Sequence, residues 1–240
     1  LEPNPKMIQQ ASNLIKNSNK PILYVGGGII HSKANQELFD LATKFNIPVV
    51  TTLMGRGAFP DGHELCLEMP GMHGNYTATT SIQKSDLLIA IGVRFDDRVT
   101  ANPSFFAQNA KVIHADIDPA EIGKVREAQV PIVGDAKSVI LGLINALGDT
   151  KLNTENWINE LNSMKTEFPL SYNQNENGPL KVPFVLEELQ NLTEEEAIVV
   201  SGVGQHQMWI SQHWNFTKPN TWLNSGAVSY THLTLPTSVT

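Results

Sequence analysis

The sequence predicts an α/β fold with a parallel sheet, and three observations support that prediction. Short apolar runs typical of buried strands alternate with segments whose apolar residues recur at helical spacing. The strand-like runs end in glycine, arginine or aspartate, where parallel strands present their ligand-binding residues. A second, shorter series of the same kind begins near residue 182, after a polar stretch at 171–179. We therefore expect a Rossmann-like domain followed by a truncated second α/β domain.

Composition narrows the class of protein. The chain of 240 residues has a net charge of −7, which argues against nucleic acid or an anionic membrane as a partner. Its single cysteine, Cys66, excludes an internal disulfide and fits a reducing compartment, so we expect a cytoplasmic protein. No apolar run is long enough to span a membrane. Because the chain does not begin with Met, we expect a piece of a longer protein.

The first 84 residues predict two helix–strand repeats and a further helix. Helices are predicted over 3–19, 34–45 and 75–84, and strands over 21–25 and 47–52. The glycine triplet at 26–28 ends the first strand and offers backbone N–H groups to an anion, although it lacks the GxGxxG spacing. A tight strand-to-helix turn is an equally good interpretation of this triplet. His73, in the glycine-rich loop 69–74, is either a ligand contact or an ordinary loop residue.

The stretch 85–100 is the centre of the predicted site. Residues 87–91 are apolar throughout, as in a strand buried on both faces, and Gly92 ends the run. Arg94 and Arg98 follow directly and are two of only four arginines in the chain. Ligands of an open α/β sheet bind where the strands end, and arginine binds phosphate in a bidentate manner. We therefore expect a phosphate-bearing cofactor here.

The rest of the chain continues the alternation. Strands are predicted over 111–116 and 130–133, helices over 120–126 and 136–147, and a helical packing stripe at Trp157, Leu161, Met164 and Phe168. Asp116 ends its strand where a carboxylate can accept hydrogen bonds from ribose hydroxyls. Beyond the polar linker, a helix over 184–191, a strand over 197–200, a glycine turn at 201–204 and a helix over 205–213 begin the second domain.

Two other kinds of chemistry lack support. His206 and His213 have no carboxylate at the spacing of zinc ligands, so we expect no metal site in this chain. There is no GxSxG motif, and Cys66 has no evident histidine partner in the sequence, which leaves nucleophilic hydrolysis unsupported.

Five motifs together resemble one enzyme family. They are GMHGNY (71–76), GVRFDDR (92–98), HADIDPAEIGK (114–124), PIVGD (131–135) and SGVGQHQMW (201–209). The chain, over residues 1–226, resembles the large catalytic subunit of acetohydroxyacid synthase, also called acetolactate synthase. The resemblance implies a thiamine-diphosphate-dependent enzyme of three α/β domains that also holds FAD and Mg²⁺. Such enzymes condense two pyruvates, or pyruvate with 2-oxobutyrate, and release carbon dioxide in the synthesis of valine, leucine and isoleucine.

The resemblance also implies a set of site residues. FAD is expected to contact Gly27, Thr52, Leu53, Gly71, Met72, His73, Gly92, Val93, Arg94, Phe95, Asp96, Asp116, Ile117, Asp135 and Ala136. Thiamine diphosphate is expected at Val203, Gly204, Gln205, His206 and Gly226, where a glycine turn that opens a helix presents N–H groups to a diphosphate. Arg98 is expected to bind the substrate.

The same resemblance implies how the chain is divided into domains. Residues 1–150 would be the central FAD-binding domain, 151–181 a helix and polar linker, and 182–226 the beginning of the thiamine-diphosphate domain. Residues 227–240 match no part of the family and are expected to be an appended or frame-shifted tail. The family's catalytic glutamate and its Mg²⁺-binding motif have no counterpart in the sequence. We therefore assign no catalytic or metal-binding residue and expect the chain to be inactive alone.

Partners and alternatives follow from the family. Pyruvate and 2-oxobutyrate are the expected substrates, with a homodimer or higher oligomer and a possible regulatory small subunit as the expected assembly. One alternative is another thiamine-diphosphate enzyme, such as a glyoxylate carboligase or an enzyme of the pyruvate-oxidase type. A second is a non-catalytic nucleotide-binding module.

Overall fold

A computed structural model describes residues 1–175, 177–193 and 197–225. Its main feature is a five-stranded parallel sheet in the order β2–β1–β3–β4–β5. The strands are β1 (Pro21–Val25), β2 (Val49–Thr51), β3 (Leu87–Ile91), β4 (Lys111–Asp116) and β5 (Val130–Val133). The order of the strands reverses between β1 and β3, which is the point where doubly wound sheets bind ligands. The predicted α/β fold with a parallel sheet is confirmed.

Burial explains the composition of the strands. Every residue of β1 and β3 is buried, as expected for central strands covered by helices on both faces. β5 contains Pro131, which cannot donate a backbone hydrogen bond. The sheet accepts this proline because β5 is an edge strand, with β4 as its neighbour on one side.

Seven α-helices accompany the sheet. They are α1 (Pro5–Lys16), α2 (Gly27–His31), α3 (Asn35–Phe45), α4 (Tyr76–Lys84), α5 (Asp97–Thr100), α6 (Ala136–Leu147) and α7 (Glu155–Glu167). Helices α1, α3 and α6 pack together on one face around a core that includes Ile15, Leu38 and Leu143. α4 and α7 cover the other face, where Ile82 and Trp157 are buried. Short 3-10 turns form at Leu53–Gly55 and Pro103–Phe105.

A second, smaller unit follows, which we call the C-terminal unit (residues 182–193 and 197–225). It contains α8 (Val182–Leu192), β6 (Val199–Ser201), α9 (Gln205–His213) and β7 (Trp222–Asn224), and β6 pairs with β7 in parallel. Its core is formed by Leu186, Trp214, Phe216 and Trp222. Among the described residues, no helix has both the length and the apolar character needed to cross a bilayer.

Most elements lie where the sequence predicts them, and one does not. The helix predicted over 120–126 is wrong, because the chain forms turns there. Gly123 adopts φ +76° and its N–H is 3.3 Å from Nδ1 of His114, which is incompatible with a continuous helix. α2, α5 and β7 were not predicted. The domain boundaries at 150 and 181 stay predictions, and Gly226 and the expected tail at 227–240 lie outside the described residues.

Candidate functional site

The strand ends form one continuous edge, which we call the carboxyl edge. Because the strands are parallel, every strand ends on this side of the sheet, and neighbouring ends are joined by backbone hydrogen bonds. Thr52 N–H donates to the Val25 carbonyl at 2.9 Å, and Gly92 N–H donates to the Ala115 carbonyl at 2.9 Å. The N–H that follows β5, at Gly134, donates to the carbonyl of Asp116 at 3.0 Å, so the edge is ordered from β2 to β5.

The two central strand ends touch through glycine. Gly28 N–H lies 3.3 Å from the carbonyl oxygen of Gly92, and Gly92 has φ +62°. A Cβ placed on Gly92 would lie 2.7 Å from the Cα of Gly28, and one placed on Gly28 would lie 2.6 Å from the Cα of Gly92. Only glycine fits at either position. The triplet 26–28 is therefore a tight strand-to-helix turn, and this turn lies at the position where the fold binds ligands.

The loop after β3 presents one arginine to solvent. Val93 and Phe95 are buried, whereas Arg94 between them is exposed and makes no ion pair within the described part of the chain. Phe95 has φ +54°, an unfavourable value for a large side chain, and it packs edge-on against Tyr24 and His114. The buried neighbours therefore hold the strained loop in place, with Arg94 at its surface.

The side chain of His114, on β4, forms a hydrogen bond that holds the loop after β3 in place. Its Nε2 lies 2.9 Å from the carbonyl oxygen of Val93, and its Nδ1 accepts the N–H of Gly123 at 3.3 Å. These contacts require a neutral ring that carries its proton on Nε2. Burial lowers the pKa of His114, in agreement with the neutral form. The sequence did not single out His114, because one histidine within a strand has no distinctive pattern.

The loop 71–73 lies beside α5. Gly71 has φ +100°, and a Cβ there would lie 2.6 Å from the carbonyl oxygen of Arg98. The N–H of Met72 donates to the same carbonyl at 2.9 Å. The loop 71–73, which we call the GMH segment, therefore packs against α5, although α4 and β3 separate the two in the sequence.

Apolar side chains lie along the carboxyl edge on both sides of Arg94. Met54 follows β2 and is 51% exposed, and Met72 is 68% exposed. On the other side Ile117 follows β4 and is 61% exposed. Ligand sites are lined mostly by apolar side chains, so these three residues are candidates for the apolar part of a binding surface.

Several predicted residues also have local structural roles. Thr52 accepts the N–H of Gly55 at 3.1 Å, and Asp96 accepts the N–H of Arg98 at 3.0 Å. Asp135 caps the N-terminus of α6 and accepts the N–H of Lys137 at 3.0 Å. Such caps stabilise helix starts whether or not a ligand is bound. These three residues therefore combine a stabilising role with a position on the carboxyl edge.

Other predicted residues lie nearby with fewer contacts. Asp116 accepts the N–H of Asp118 at 2.9 Å, and Ala136 is buried in the first turn of α6. Arg98 is exposed and forms an ion pair of 2.8 Å with Asp97. Such an exposed pair has little energetic value and leaves the guanidinium accessible.

The turn after β6 is built like the turn after β1. Gly204 has φ +154°, and α9 begins at the next residue, Gln205. Val203, Gln205 and His206 are exposed. No group of three or more metal-ligating side chains occurs within the described residues. A glycine turn that opens a helix with exposed residues can present backbone N–H groups to an anion.

Sequence reasoning missed a buried ion pair that follows β2. Arg56 and Asp61 form a buried ion pair, with Nη2 and Oδ2 2.7 Å apart. The second oxygen of Asp61 lies 2.8 Å from Nη1 of Arg56, so the pair is bidentate. Neither residue was among the site residues expected from the sequence. The spacing of five residues between Arg56 and Asp61 was the one available signal.

Comparisons with known proteins identify the family of the chain. A family model described as "Thiamine pyrophosphate enzyme, central domain" matches residues 8–143. The chain is 50% identical to the acetolactate synthase of Mycobacterium leprae and 48% identical to the acetolactate synthase large subunit of Corynebacterium glutamicum. It is 43% identical to the chloroplastic acetolactate synthase of Arabidopsis thaliana.

These similarities extend along almost the whole chain, and they confirm the resemblance inferred from the motifs. Each covers 99% of the chain, which spans 39%, 38% and 36% of the length of these three relatives, respectively. The family match covers more than half of the residues and coincides with the five-stranded sheet. The chain therefore belongs to the thiamine pyrophosphate enzymes and contains their central domain.

Proposed function

We propose that this chain is part of an acetolactate synthase and that its carboxyl edge binds FAD. The observation that supports this most strongly is the order of side chains along the edge. Met54 follows β2 toward one end of the edge, glycine and Arg94 lie in the middle, and Asp116 with Ile117 follows β4 toward the other end. A dinucleotide has the same order: a ring system, a pyrophosphate, and an adenosine with ribose hydroxyls.

The residues fit the size and charge of FAD. Four strand intervals of about 4.8 Å make the carboxyl edge about 19 Å long, enough for an extended dinucleotide. Arg94 is exposed and supplies positive charge near the centre of the edge. Asp116 and Asp135 lie where carboxylates can accept hydrogen bonds from ribose.

The C-terminal unit supplies the proposed thiamine-diphosphate contacts. Val203, Gly204, Gln205 and His206 would approach the diphosphate through the turn that opens α9, together with Gly226. When bound, thiamine diphosphate stabilises the carbanion needed to join two 2-oxo acids with loss of carbon dioxide. Arg98 would hold the carboxylate of pyruvate or 2-oxobutyrate, because it is exposed and adjoins the GMH segment. Mg²⁺ would be held by residues other than those described.

The cellular setting is part of the same proposal. We place the protein in the cytoplasm, where thiols stay reduced. Cys66 is buried and unpaired, and burial raises the pKa of its thiol, so it is a poor nucleophile and a poor target for oxidation. We also propose a homodimer or higher oligomer and the possible addition of a regulatory small subunit.

A chimeric enzyme tests the proposed activity. Residues 1–225 would replace the matching segment of the Corynebacterium glutamicum enzyme, to which the chain is 48% identical. We expect the chimera to form acetolactate from pyruvate when thiamine diphosphate, Mg²⁺ and FAD are supplied. The matched control carries the corresponding segment of the Mycobacterium leprae protein. An inactive chimera beside an active control would contradict the proposed activity.

An assay of the 240-residue chain by itself complements the chimera experiment. It spans 39% of the length of its Mycobacterium leprae relative, so we expect no acetolactate from the 240-residue protein under the same conditions. Acetolactate formation by this protein would show that residues 1–240 contain a complete active site.

A further inference from the structure

We infer that Gln212 and Trp222 are positioning residues for FAD. Both belong to the C-terminal unit, and each holds a backbone carbonyl of the proposed flavin site. This inference rests on the proposed function and adds a role for a unit that otherwise would serve thiamine diphosphate alone. Neither residue was expected to contact FAD from the sequence.

Trp222 holds the loop that follows β2. Its Nε1–H donates to the carbonyl oxygen of Leu53 at 3.1 Å, and the indole is 7% exposed. The side chain of Leu53 packs against the core of the C-terminal unit, beside Trp222 and Phe216. The 3-10 turn at Leu53–Gly55 follows β2 of the first sheet. The carbonyl group and the side chain of Leu53 nevertheless both contact the C-terminal unit.

Gln212 holds the GMH segment. Its Nε2 donates to the carbonyl oxygen of His73 at 2.8 Å. The other end of this segment is fixed by the bond from Met72 N–H to the Arg98 carbonyl. A segment without regular secondary structure is thus held at two points, one in each unit.

A buried cluster of Arg56, Asp61 and Phe216, which we call the seam, joins the C-terminal unit to the first unit. Asp61 binds Arg56 on one side and accepts the N–H of Phe216 at 2.7 Å on the other. The Asp61 N–H also donates to the Phe216 carbonyl at 3.2 Å, and the Arg56 guanidinium lies 5.5 Å from the centre of the Phe216 ring. A Cβ on Gly57 would lie 2.5 Å from the carbonyl oxygen of Lys218. Such close packing fixes where Gln212 and Trp222 present their donors.

Loss of the hydrogen bonds from Trp222 and Gln212 should weaken the binding of FAD. Thr52, Leu53 and residues 71–73 lie on the two loops that the C-terminal unit holds, and all are proposed flavin contacts. If the loops lose these hydrogen bonds, FAD must order them when it binds, which weakens the apparent affinity. By the same coupling, bound FAD should stabilise the seam.

Paired variants test the inference. Trp222→Phe keeps an aromatic side chain but removes the N–H donor. Gln212→Met keeps the length of the side chain but removes the amide. We expect each to raise the Kd for FAD about three- to tenfold, the equivalent of one hydrogen bond. The double variant should also give a less structured visible spectrum for bound flavin. The control is Trp214→Phe, in the same core, because Trp214 makes no side-chain hydrogen bond within the described residues.

A second measurement needs no flavin. Amide hydrogen exchange over residues 52–56 and 71–75 should be faster in the two donor variants than in the wild type and in Trp214→Phe. Exchange unchanged in both variants would overturn the positioning role, and so would an unchanged Kd for FAD. A wild-type protein that binds no FAD would overturn the proposed function and the flavin role of both residues. Faster exchange in that case would establish only that the loops are held.

Discussion

Gly92 shows how the site depends on the absence of a side chain. It combines φ +62° with a separation of 2.7 Å between its hypothetical Cβ and the Cα of Gly28. We expect Gly92→Ala to lower the free energy of unfolding by about 2–4 kcal/mol, since both backbone strain and a backbone clash oppose the new methyl group. Urea denaturation measures the change.

Two other glycines serve as matched controls. Gly123 has φ +76° with open space around it, and Gly62 has neither constraint. We expect about 1–2 kcal/mol for Gly123→Ala, because only the backbone conformation opposes it, and nearly no change for Gly62→Ala. Equal effects at all three positions would contradict the close contact between the ends of β1 and β3.

The Arg56–Asp61 pair gives a second prediction for single residues. Both side chains are 1% exposed, and Arg56→Met would leave the Asp61 carboxylate buried without its partner. We expect a loss of about 3–5 kcal/mol in the free energy of unfolding. The double variant Arg56→Met/Asp61→Leu should recover part of this loss, because no unpaired charge remains. Arg98→Met, at an exposed ion pair, should leave stability unchanged within error.

At the scale of elements, we expect His114 on β4 to make the free energy of unfolding depend on pH. Burial lowers the pKa of His114 from its ordinary value of 6.5, so the unfolded chain takes up a proton that the folded chain resists. The contribution of this histidine to stability is therefore complete above that value and is lost as the pH falls below it. The nearby carboxylates Asp116 and Glu121 oppose the shift and make it smaller.

The His114→Gln variant isolates that contribution. Its free energy of unfolding should fall less than that of the wild type between about pH 7 and about pH 5, because the titrating group is gone. Chemical denaturation at each pH gives the comparison. Parallel pH profiles for the two proteins would show that His114 is not held neutral in the folded state.

The accuracy of sequence reasoning also differed between elements. Strands β1, β3, β4 and β5 were predicted with their observed bounds, because fully buried strands leave continuous apolar runs. β7 has only three residues and was missed, since so short a segment has no measurable periodicity. The predicted helix over 120–126 failed because Gly123 donates its N–H to the side chain of His114 on β4, and no local pattern reveals that contact.

The site shows the same limit. The ends of β1 to β5 could be placed at one edge from the parallel topology alone, which grouped Gly27, Gly92, Asp116 and Asp135. The attachment of Leu53 and His73 to Trp222 and Gln212 could not, because it joins residues 139 and 169 positions apart through single hydrogen bonds. Contacts of that kind depend on how the two units pack rather than on any local motif.

At the scale of the whole molecule, the two units should unfold together. The C-terminal unit has only a two-stranded sheet, with Val200 and Leu223 more than 40% exposed, and such a sheet is marginal by itself. Its stability therefore depends on the seam with the first unit. Tryptophan fluorescence reports mainly on this unit, which holds Trp209, Trp214 and Trp222, whereas the fourth tryptophan, Trp157, lies in the first unit. Circular dichroism reports mainly on the first unit.

We expect the two signals to give coincident transitions in urea. An earlier transition in tryptophan fluorescence would indicate that the C-terminal unit unfolds first and that the seam contributes little. The Asp61→Asn variant, which keeps the shape but weakens the buried pair, should shift both transitions together.

The central claim, that the carboxyl edge binds the pyrophosphate of FAD through Arg94, is tested most directly by an FAD titration of three proteins. These are the wild type, Arg94→Gln and the matched control Arg98→Gln, an exposed arginine four residues away. We predict one FAD per wild-type chain, affinity about tenfold or more weaker for Arg94→Gln, and unchanged affinity for Arg98→Gln. Equal affinity in all three proteins, or no binding by the wild type, would contradict the account.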